Sequence, residues 1–159
     1  MALKLALELD GVLGDTRRLW GDWLEDAARR FRSIAELDVD ALPADRGRAA
    51  DELDRWADRG VGDWRGALER FAEDRAPVYL RPDAEISARL RELQSAGATL
   101  GVFADAPEPL ARVALSQLGA ARRVDFIESG AGALDRLLER LGPGAIVVTS
   151  RDELRRLAG

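Results

Sequence analysis

The chain has no cysteine and no histidine among its 159 residues. Without cysteine it cannot form disulfides, zinc–thiolate sites or iron–sulfur clusters, and it has no thiol nucleophile. Without histidine it lacks serine–histidine triads, imidazole metal ligands and the most common general base. Any chemistry must therefore come from carboxylates, hydroxyls, arginine side chains or backbone groups.

Lysine and long apolar runs are also scarce. Lys4 is the single lysine, so an activity that needs a lysine elsewhere has none to use. The net charge of −5 leaves no basic excess to neutralise phosphates, which argues against nucleic acid as a partner. No segment is long and apolar enough to span a membrane, and the N-terminus turns acidic too soon for a signal peptide. We therefore expect a cytoplasmic protein with no membrane partner.

The beginning of the chain predicts a strand followed by a helical insert. Residues 2–9 read as a buried strand, and Asp10-Gly11 marks a turn. From 16 to 80 the apolar residues recur with a helical period, and all four tryptophans lie in this segment. We expect these aromatic side chains to form the core of a small helical bundle, with an aromatic ligand site as the alternative. Gly47 is expected in a connection between the first two helices.

The rest of the chain alternates amphipathic helices with apolar strands. Helices are predicted at 84–97, 107–119, 133–142 and 151–159, and strands at 99–104, 124–128 and 145–150. This alternation predicts an α/β fold with a parallel sheet of about four or five strands and helices on both faces. Ligand sites of such sheets lie at the carboxyl ends of the strands. The residues that directly follow each strand are therefore the informative ones.

Those strand ends resemble the motifs of a known family. The stretch LELDGVLGDT is similar to an apolar strand followed by Asp-x-Asp-Gly-Thr/Val-Leu, and AIVVTSRDELRRLAG is similar to the fourth motif of the same family with its following helix. The chain resembles haloacid dehalogenase-like hydrolases, in particular phosphoglycolate-phosphatase-type members with a helical cap. The resemblance implies a Rossmann-like core of residues 1–15 and 81–159 and a cap of residues 16–80.

The resemblance also assigns chemical roles. In this family the first aspartate of the first motif attacks phosphorus, and the second protonates the leaving group and then activates water. Glu8 stands at the nucleophile position and Asp10 at the acid/base position. Glu8, Asp10 and Asp152 are the implied ligands of Mg²⁺. Because glutamate is one methylene longer than aspartate, its oxygen is displaced by about 1 Å, which can cost on the order of 100-fold in rate.

The phosphate-holding positions depart from the family pattern. Ala104 stands where the second motif has a hydroxyl, and the adjacent Asp105 brings negative charge towards a phosphate. The third motif, around Gly130, contains no lysine. Arg136, about one turn into the next helix, is the candidate cation that could reach the site. Losing the hydroxyl and the lysine removes the charge stabilisation on which phosphoryl transfer depends.

The fourth motif is altered too, and every candidate residue also has a structural interpretation. Thr149-Ser150 replaces the usual Gly-Asp, which leaves Asp152 as the acid nearby. The structural interpretations are a buried acid bonded to the turn backbone for Glu8, a turn cap for Asp10, a helix N-cap for Asp105, an exposed first-turn acid for Asp152 and a plain turn around Gly130.

These observations favour a protein that is non-catalytic, or a very weak phosphatase, with a binding or regulatory role. The alternative is an active Mg²⁺-dependent phosphohydrolase that uses Glu8 and Asp10 on a small phosphorylated metabolite. A third class is an assembly protein, because the apolar strand at 145–150 could lie at a sheet edge and pair with a second copy in a homodimer.

Overall fold

The computed structural model describes residues 2–35 and 37–157. A buried strand, β1 (Lys4–Glu8), begins the fold, and three helices follow it: α1 (Arg17–Ala35), α2 (Arg46–Trp56) and α3 (Trp64–Tyr79). The remaining elements alternate as α4 (Ala84–Ser95), β2 (Thr99–Ala104), α5 (Glu108–Gln117), β3 (Phe126–Ser129), α6 (Ala133–Leu141), β4 (Ile146–Val148) and α7 (Arg151–Leu157). The predicted order of helices and strands is confirmed, with shorter third and fourth strands than expected.

The four strands of the described chain form one parallel sheet in the order β3-β2-β1-β4. β1 is central, with Leu5 opposite Leu100 of β2 and Ile146 of β4. Leu5, Ala6 and Leu7 are fully buried, as expected for a strand that helices cover on both faces. Because all strands run the same way, their carboxyl ends meet at one edge of the sheet. This confirms the predicted α/β parallel sheet and its lower predicted strand number.

A wide turn, Leu9–Leu13, follows β1, and Asp10 and Gly11 within it have non-helical backbone angles. Gly11 has a φ of +103°, a conformation that side chains with a Cβ rarely adopt. Its N–H donates to the carbonyl of Gly14 at 2.8 Å, and the N–H of Gly14 donates to the carbonyl of Leu9 at 3.1 Å. This turn places Asp10 at the end of the strand with its side chain buried.

The aromatic residues of the insert pack together as predicted. Trp23 is 1% exposed and lies 5.4 Å from Trp20, 6.2 Å from Phe31 and 6.1 Å from Trp64, measured between ring centroids. The same hydrophobic cluster continues into the sheet and into α5, so the aromatics are not a separate core. Burying four large aromatic side chains together is enough to explain why they occur in this segment.

The start of α2 differs from the sequence expectation. Gly47 was expected in a connection, but it lies in the first turn of the helix. The helix starts early because the side chain of Asp45 accepts a hydrogen bond from the N–H of Arg48 at 2.9 Å, which satisfies one of the free donors of the first turn. This shift brings Arg46 into the fold and towards the strand ends.

Within the described residues β3 and β4 are the edge strands of the sheet. β4 is only three residues long, and Ile146 at its start is 37% exposed. Pairing of this edge with a second copy stays a prediction. Among the described helices, none has both the length and the apolar character needed to cross a membrane.

Candidate functional site

The carboxyl ends of β1, β2 and β3 open into one pocket of about 380 Å³. Its lining includes Glu8 and Asp10 after β1, Ala104 and Asp105 after β2, and Gly130 after β3. The structure therefore brings together five of the seven residues that the sequence marks as site candidates, and Arg136 and Asp152 are the two that do not line the pocket.

The described side chains that line this pocket include several carboxylates and neither lysine nor arginine. A smaller cavity beside it, of about 290 Å³, shares Glu8, Asp10 and Asp105 with the pocket and is also lined by Arg17 and Arg46. A phosphate dianion in the first pocket would face an electrostatic penalty unless a cation accompanied it.

Asp10 is held by Thr16, the residue just before α1. One carboxylate oxygen, Oδ1, accepts hydrogen bonds from the backbone N–H of Thr16 at 2.7 Å and from its hydroxyl at 2.8 Å. Asp10 therefore bonds the residue at the entry to α1 rather than the Asp-Gly turn itself. Both side chains are buried, Asp10 at 8% exposure and Thr16 at 0%.

The second oxygen of Asp10 is occupied by a cation from the insert. Arg46 of α2 donates from Nη2 to Oδ2 of Asp10 and from Nη1 to the hydroxyl of Thr16 at 2.6 Å. Its Nε and Nη2 donate to Oδ1 of Asp105 at 3.0 and 2.7 Å, and its backbone N–H donates to Oδ2 of Asp105 at 3.0 Å. One arginine of the insert thus links the residues that follow β1 and β2.

Asp10, Thr16 and Arg46 are the buried polar or charged residues of the described chain, and they contact one another. A buried charge without a partner would destabilise the folded state by several kcal/mol. The guanidinium of Arg46 and the carboxylate of Asp10 can therefore be buried only as a pair. No buried polar side-chain atom among the described residues lacks a partner. The cluster is therefore a closed hydrogen-bond network rather than a set of groups waiting for a ligand.

The pKa values of Asp105 and Glu8, the two carboxylates at the margin of this network, are shifted in opposite directions. Burial pushes the pKa of Asp105 upward, but the hydrogen bonds and charge of Arg46 outweigh it, so the pKa lies below its ordinary value. The pKa of Glu8 is raised, first by burial and then by the negative charge of Asp10. Asp105 was predicted to cap α5. It does not, since that helix follows Pro107 and has no side-chain cap, and Asp105 bonds Arg46 instead.

Glu8 is the candidate residue that the network leaves unbonded. Among the described residues its side chain has no hydrogen bond or ion pair, although it lines the pocket beside Ala104. The expected bond from Glu8 to the turn backbone is therefore not formed. An unbonded, half-buried carboxylate with a raised pKa is a suitable nucleophile or metal ligand only if a cation reaches it.

The loop of the third motif, around Gly130, is held in place by hydrogen bonds to β2 and to α6. Gly130, at a φ of +82°, donates its N–H to the carbonyls of Ala104 and Ala106, both at 3.0 Å. Arg136 donates to the carbonyl of Ser129 at 2.6 Å and to that of Ala131. Arg136 was the sequence candidate for a cation that reaches the site. It instead fastens the loop, and the pocket lining does not include it.

The fourth motif starts a helix. The hydroxyl of Ser150 accepts from the N–H of Glu153 at 3.2 Å, and Glu153 accepts from the N–H and the hydroxyl of Thr149, both at 3.1 Å. These contacts form a capping arrangement at the start of α7. Asp152 lies in the first turn, 71% exposed, and pairs with Arg155 at 2.7 Å. The structural interpretation of Asp152 is thus the one observed.

The residues present do not fit the implied Mg²⁺ site. The predicted ligand set joined Glu8, Asp10 and Asp152, but Asp152 does not line the pocket that contains the other two. Within the described part of the chain no three acidic side chains are arranged to hold a metal ion. Asp10 already uses both oxygens, one on Thr16 and one on Arg46.

Sequence reasoning missed Thr16 and Arg46. Thr16 stands six residues after Asp10 and directly before a helical period, so a polar pair at the helix start was detectable. Arg46 had no such signal, because one arginine in an arginine-rich chain is not distinguishable from the others. Its partners lie 30, 36 and 59 positions away, so only the fold identifies it.

Comparisons with known proteins support the fold. No protein-family model matches the chain, and a search of curated proteins finds no significant match. A solved structure assigned as a beta-phosphoglucomutase from Thermotoga maritima is similar, with a TM-score of 0.51 and 17% identity over 96% of this chain and 82% of the other. A beta-phosphoglucomutase from Clostridium difficile gives a TM-score of 0.48 and 16% identity over 92% and 75%. The chain has the haloacid dehalogenase-like fold that its motifs predict.

Proposed function

We propose that this chain is a non-catalytic protein of haloacid dehalogenase-like fold with a binding or regulatory role. The observation that carries the proposal is that both carboxylate oxygens of Asp10 are bonded within the protein: Thr16 holds one and Arg46 holds the other. An acid/base residue must exchange a proton with the substrate or with water, which requires a carboxylate that the reacting atom can reach. Here the place beside Asp10 is filled by the protein's own guanidinium.

Arg46 prevents Asp10 from exchanging a proton with a substrate, and it cannot take over that proton transfer itself. A guanidinium stays protonated in proteins and has no lone pair to accept a proton. The lost hydroxyl at Ala104 and the lysine-free loop at Gly130 act in the same direction, because neither can hold the oxygens of a phosphoryl group.

A second candidate is the Mg²⁺-dependent phosphohydrolase of a small phosphorylated metabolite. It is favoured by one observation, the unbonded carboxylate of Glu8 on the pocket wall beside Ala104. A carboxylate in such a position can attack phosphorus in principle. This candidate requires Arg46 to leave Asp10 first, so that the acid becomes available. Mg²⁺ as a cofactor and a cytoplasmic location belong to the same set of proposals.

Hydrolysis of p-nitrophenyl phosphate with MgCl₂ tests the two candidates. The non-catalytic proposal expects the wild-type chain to release nitrophenol no faster than Asp10→Asn and Glu8→Gln variants. Turnover that both substitutions abolish, together with an acyl-phosphate trapped on Glu8, would overturn it in favour of the phosphohydrolase. Glu139→Gln, on the exposed face of α6, is the matched control, since it removes a carboxylate distant from the pocket.

A further inference from the structure

We infer that residues 45–47, at the start of α2, are a latch in which Arg46 takes the place of a metal cation. A docked Arg46 and a divalent cation at Asp10 and Asp105 exclude each other. The inference goes beyond the proposed function, because the latch operates in the same way whether or not the pocket turns over a phosphoester. It rests on two contacts of the segment, on the rigidity of the surface that the segment contacts, and on the charge that the segment neutralises.

The first contact is a double anchor at Arg46. Its guanidinium binds Asp10, Thr16 and Asp105, while its backbone N–H binds the other oxygen of Asp105. A side chain that held only its charge partner could swing away without moving the helix. Because side chain and backbone share Asp105, the position of the guanidinium and the position of the helix start are coupled.

The second contact is the close approach of Gly47 to the loop after β3. A Cβ added at Gly47 would lie 2.5 Å from the backbone nitrogen of Ala131 and 2.7 Å from its Cα. Both atoms are backbone, and they cannot rotate away. Glycine inside a helix is less stable than alanine, because its backbone loses more conformational freedom on folding. The absence of a side chain here therefore allows the latch to dock against the loop.

The third element is the rigidity of the docking surface. Gly130 is bonded to the carbonyls of Ala104 and Ala106, and Arg136 is bonded to the carbonyls of Ser129 and Ala131. The loop is thus tied both to β2 and to α6. The latch closes on a surface that is already fixed, so a clash at Gly47 moves α2 and not the loop.

Charge explains why the latch and a cation compete. Asp10 and Asp105 share the single positive charge of Arg46, with Glu8 adding negative charge nearby. Withdrawal of the guanidinium leaves Asp10 and Asp105 without the cation that contacts them, while Arg17, the other cation that lines this region, pairs with Asp15. Oxygen ligands of this kind, one or two carboxylates with water, are what Mg²⁺ binds. A cation can therefore bind Asp10 and Asp105 only when the guanidinium has moved away with the helix start or has been removed by substitution.

Two variants release the latch in different ways, and each has a matched control. Arg46→Met removes the charge, with Arg48→Met on the exposed side of α2 as its control. Gly47→Val keeps every charge but drives the segment off Ala131. Its control is Gly21→Val in α1, where an added Cβ would meet nothing within 4 Å. Calorimetric titration with MgCl₂ and hydrogen exchange of peptides that cover α2 are the readouts, after circular dichroism has verified folding.

We expect no Mg²⁺ binding by the wild-type chain and by both controls, and binding by both latch variants. In Gly47→Val, amide exchange at the start of α2 should rise about tenfold or more. Wild-type binding of Mg²⁺ as tight as that of the variants would overturn the exclusion. Unchanged exchange in Gly47→Val would overturn the latch. If Arg46→Met fails to fold, Gly47→Val decides, since it leaves every charged side chain of the site in the chain and changes only the position of the segment.

Discussion

Arg46 forms a buried ion pair with Asp10, although 36 positions separate them in the sequence. The pair joins the first turn of α2, the second helix of the insert, to the turn that follows the central strand. Both side chains are less than 10% exposed, so neither is compensated by water. The resemblance to the family places an acid/base residue at Asp10, and the ion pair occupies that residue. The same contact that fills the site therefore also stabilises the folded chain.

Arg46→Met should lower the free energy of unfolding by about 3–5 kcal/mol, because it leaves Asp10 buried without its counter-charge. Asp10→Asn combined with Arg46→Met should cost less than the sum of the single changes, by about 1–3 kcal/mol. Urea denaturation of the four proteins in this cycle measures the coupling. Additive costs would mean that the two residues do not stabilise one another.

The regular elements were predictable from the sequence, and the reason is local. Strand β2, predicted at 99–104, has those bounds because six consecutive residues are apolar or small and a glycine precedes them. Asp83, which stands directly before the predicted helix, caps α4 by accepting a hydrogen bond from the N–H of Ile86 at 3.0 Å, a role that its place in the sequence makes detectable. Each of these signals lies within a few residues of the structure that it specifies.

The site was predictable only in part, because its geometry is set by distant contacts. The residues after β1, β2 and β3 meet, as parallel strands require. The role of Asp105 was predicted incorrectly, since its partner Arg46 is 59 positions away. Residue Asp152 was assigned to the site by motif order alone. In the fold the fourth strand ends at Val148, and the following residues begin a helix.

Glu8→Gln should stabilise the protein at neutral pH and have little effect under acidic conditions. Burial and the charge of Asp10 raise the folded-state pKa of Glu8 above its ordinary value of 4.5. The favourable contribution of the protonated side chain is present below pH 4.5 and is lost as the pH rises through the folded pKa. Denaturation midpoints measured from pH 4 to pH 8 test this.

Glutamine keeps the size of the side chain and cannot ionise, so the gain should grow with pH over the window above 4.5. Glu139→Gln on α6 is the control, and its effect should not change across the same range. A gain for Glu8→Gln that is equally large at pH 4 would show that ionisation of Glu8 is not its cause.

Trp23→Ala should lower the free energy of unfolding by about 3–5 kcal/mol. Trp23 is 1% exposed and contacts Trp20, Phe31 and Trp64, so its removal leaves a cavity that rigid rings cannot fill. Val78→Ala, at a side chain 71% exposed, should change stability by less than about 0.5 kcal/mol. A loss below about 1 kcal/mol for Trp23→Ala would mean that the aromatics are a binding surface and not a core.

Two glycines inside helices should respond in opposite ways to the same methyl group. Gly21→Ala in α1 should raise the free energy of unfolding by about 0.5–1 kcal/mol, because alanine loses less backbone entropy and its Cβ has nothing within 4 Å. Gly47→Ala gains the same propensity, but its Cβ would collide with the backbone of Ala131, so stability should fall. Thermal unfolding of the two variants compares them directly. Equal stabilisation by both would mean that the start of α2 moves freely away from the loop, since a docked helix cannot accommodate that methyl group.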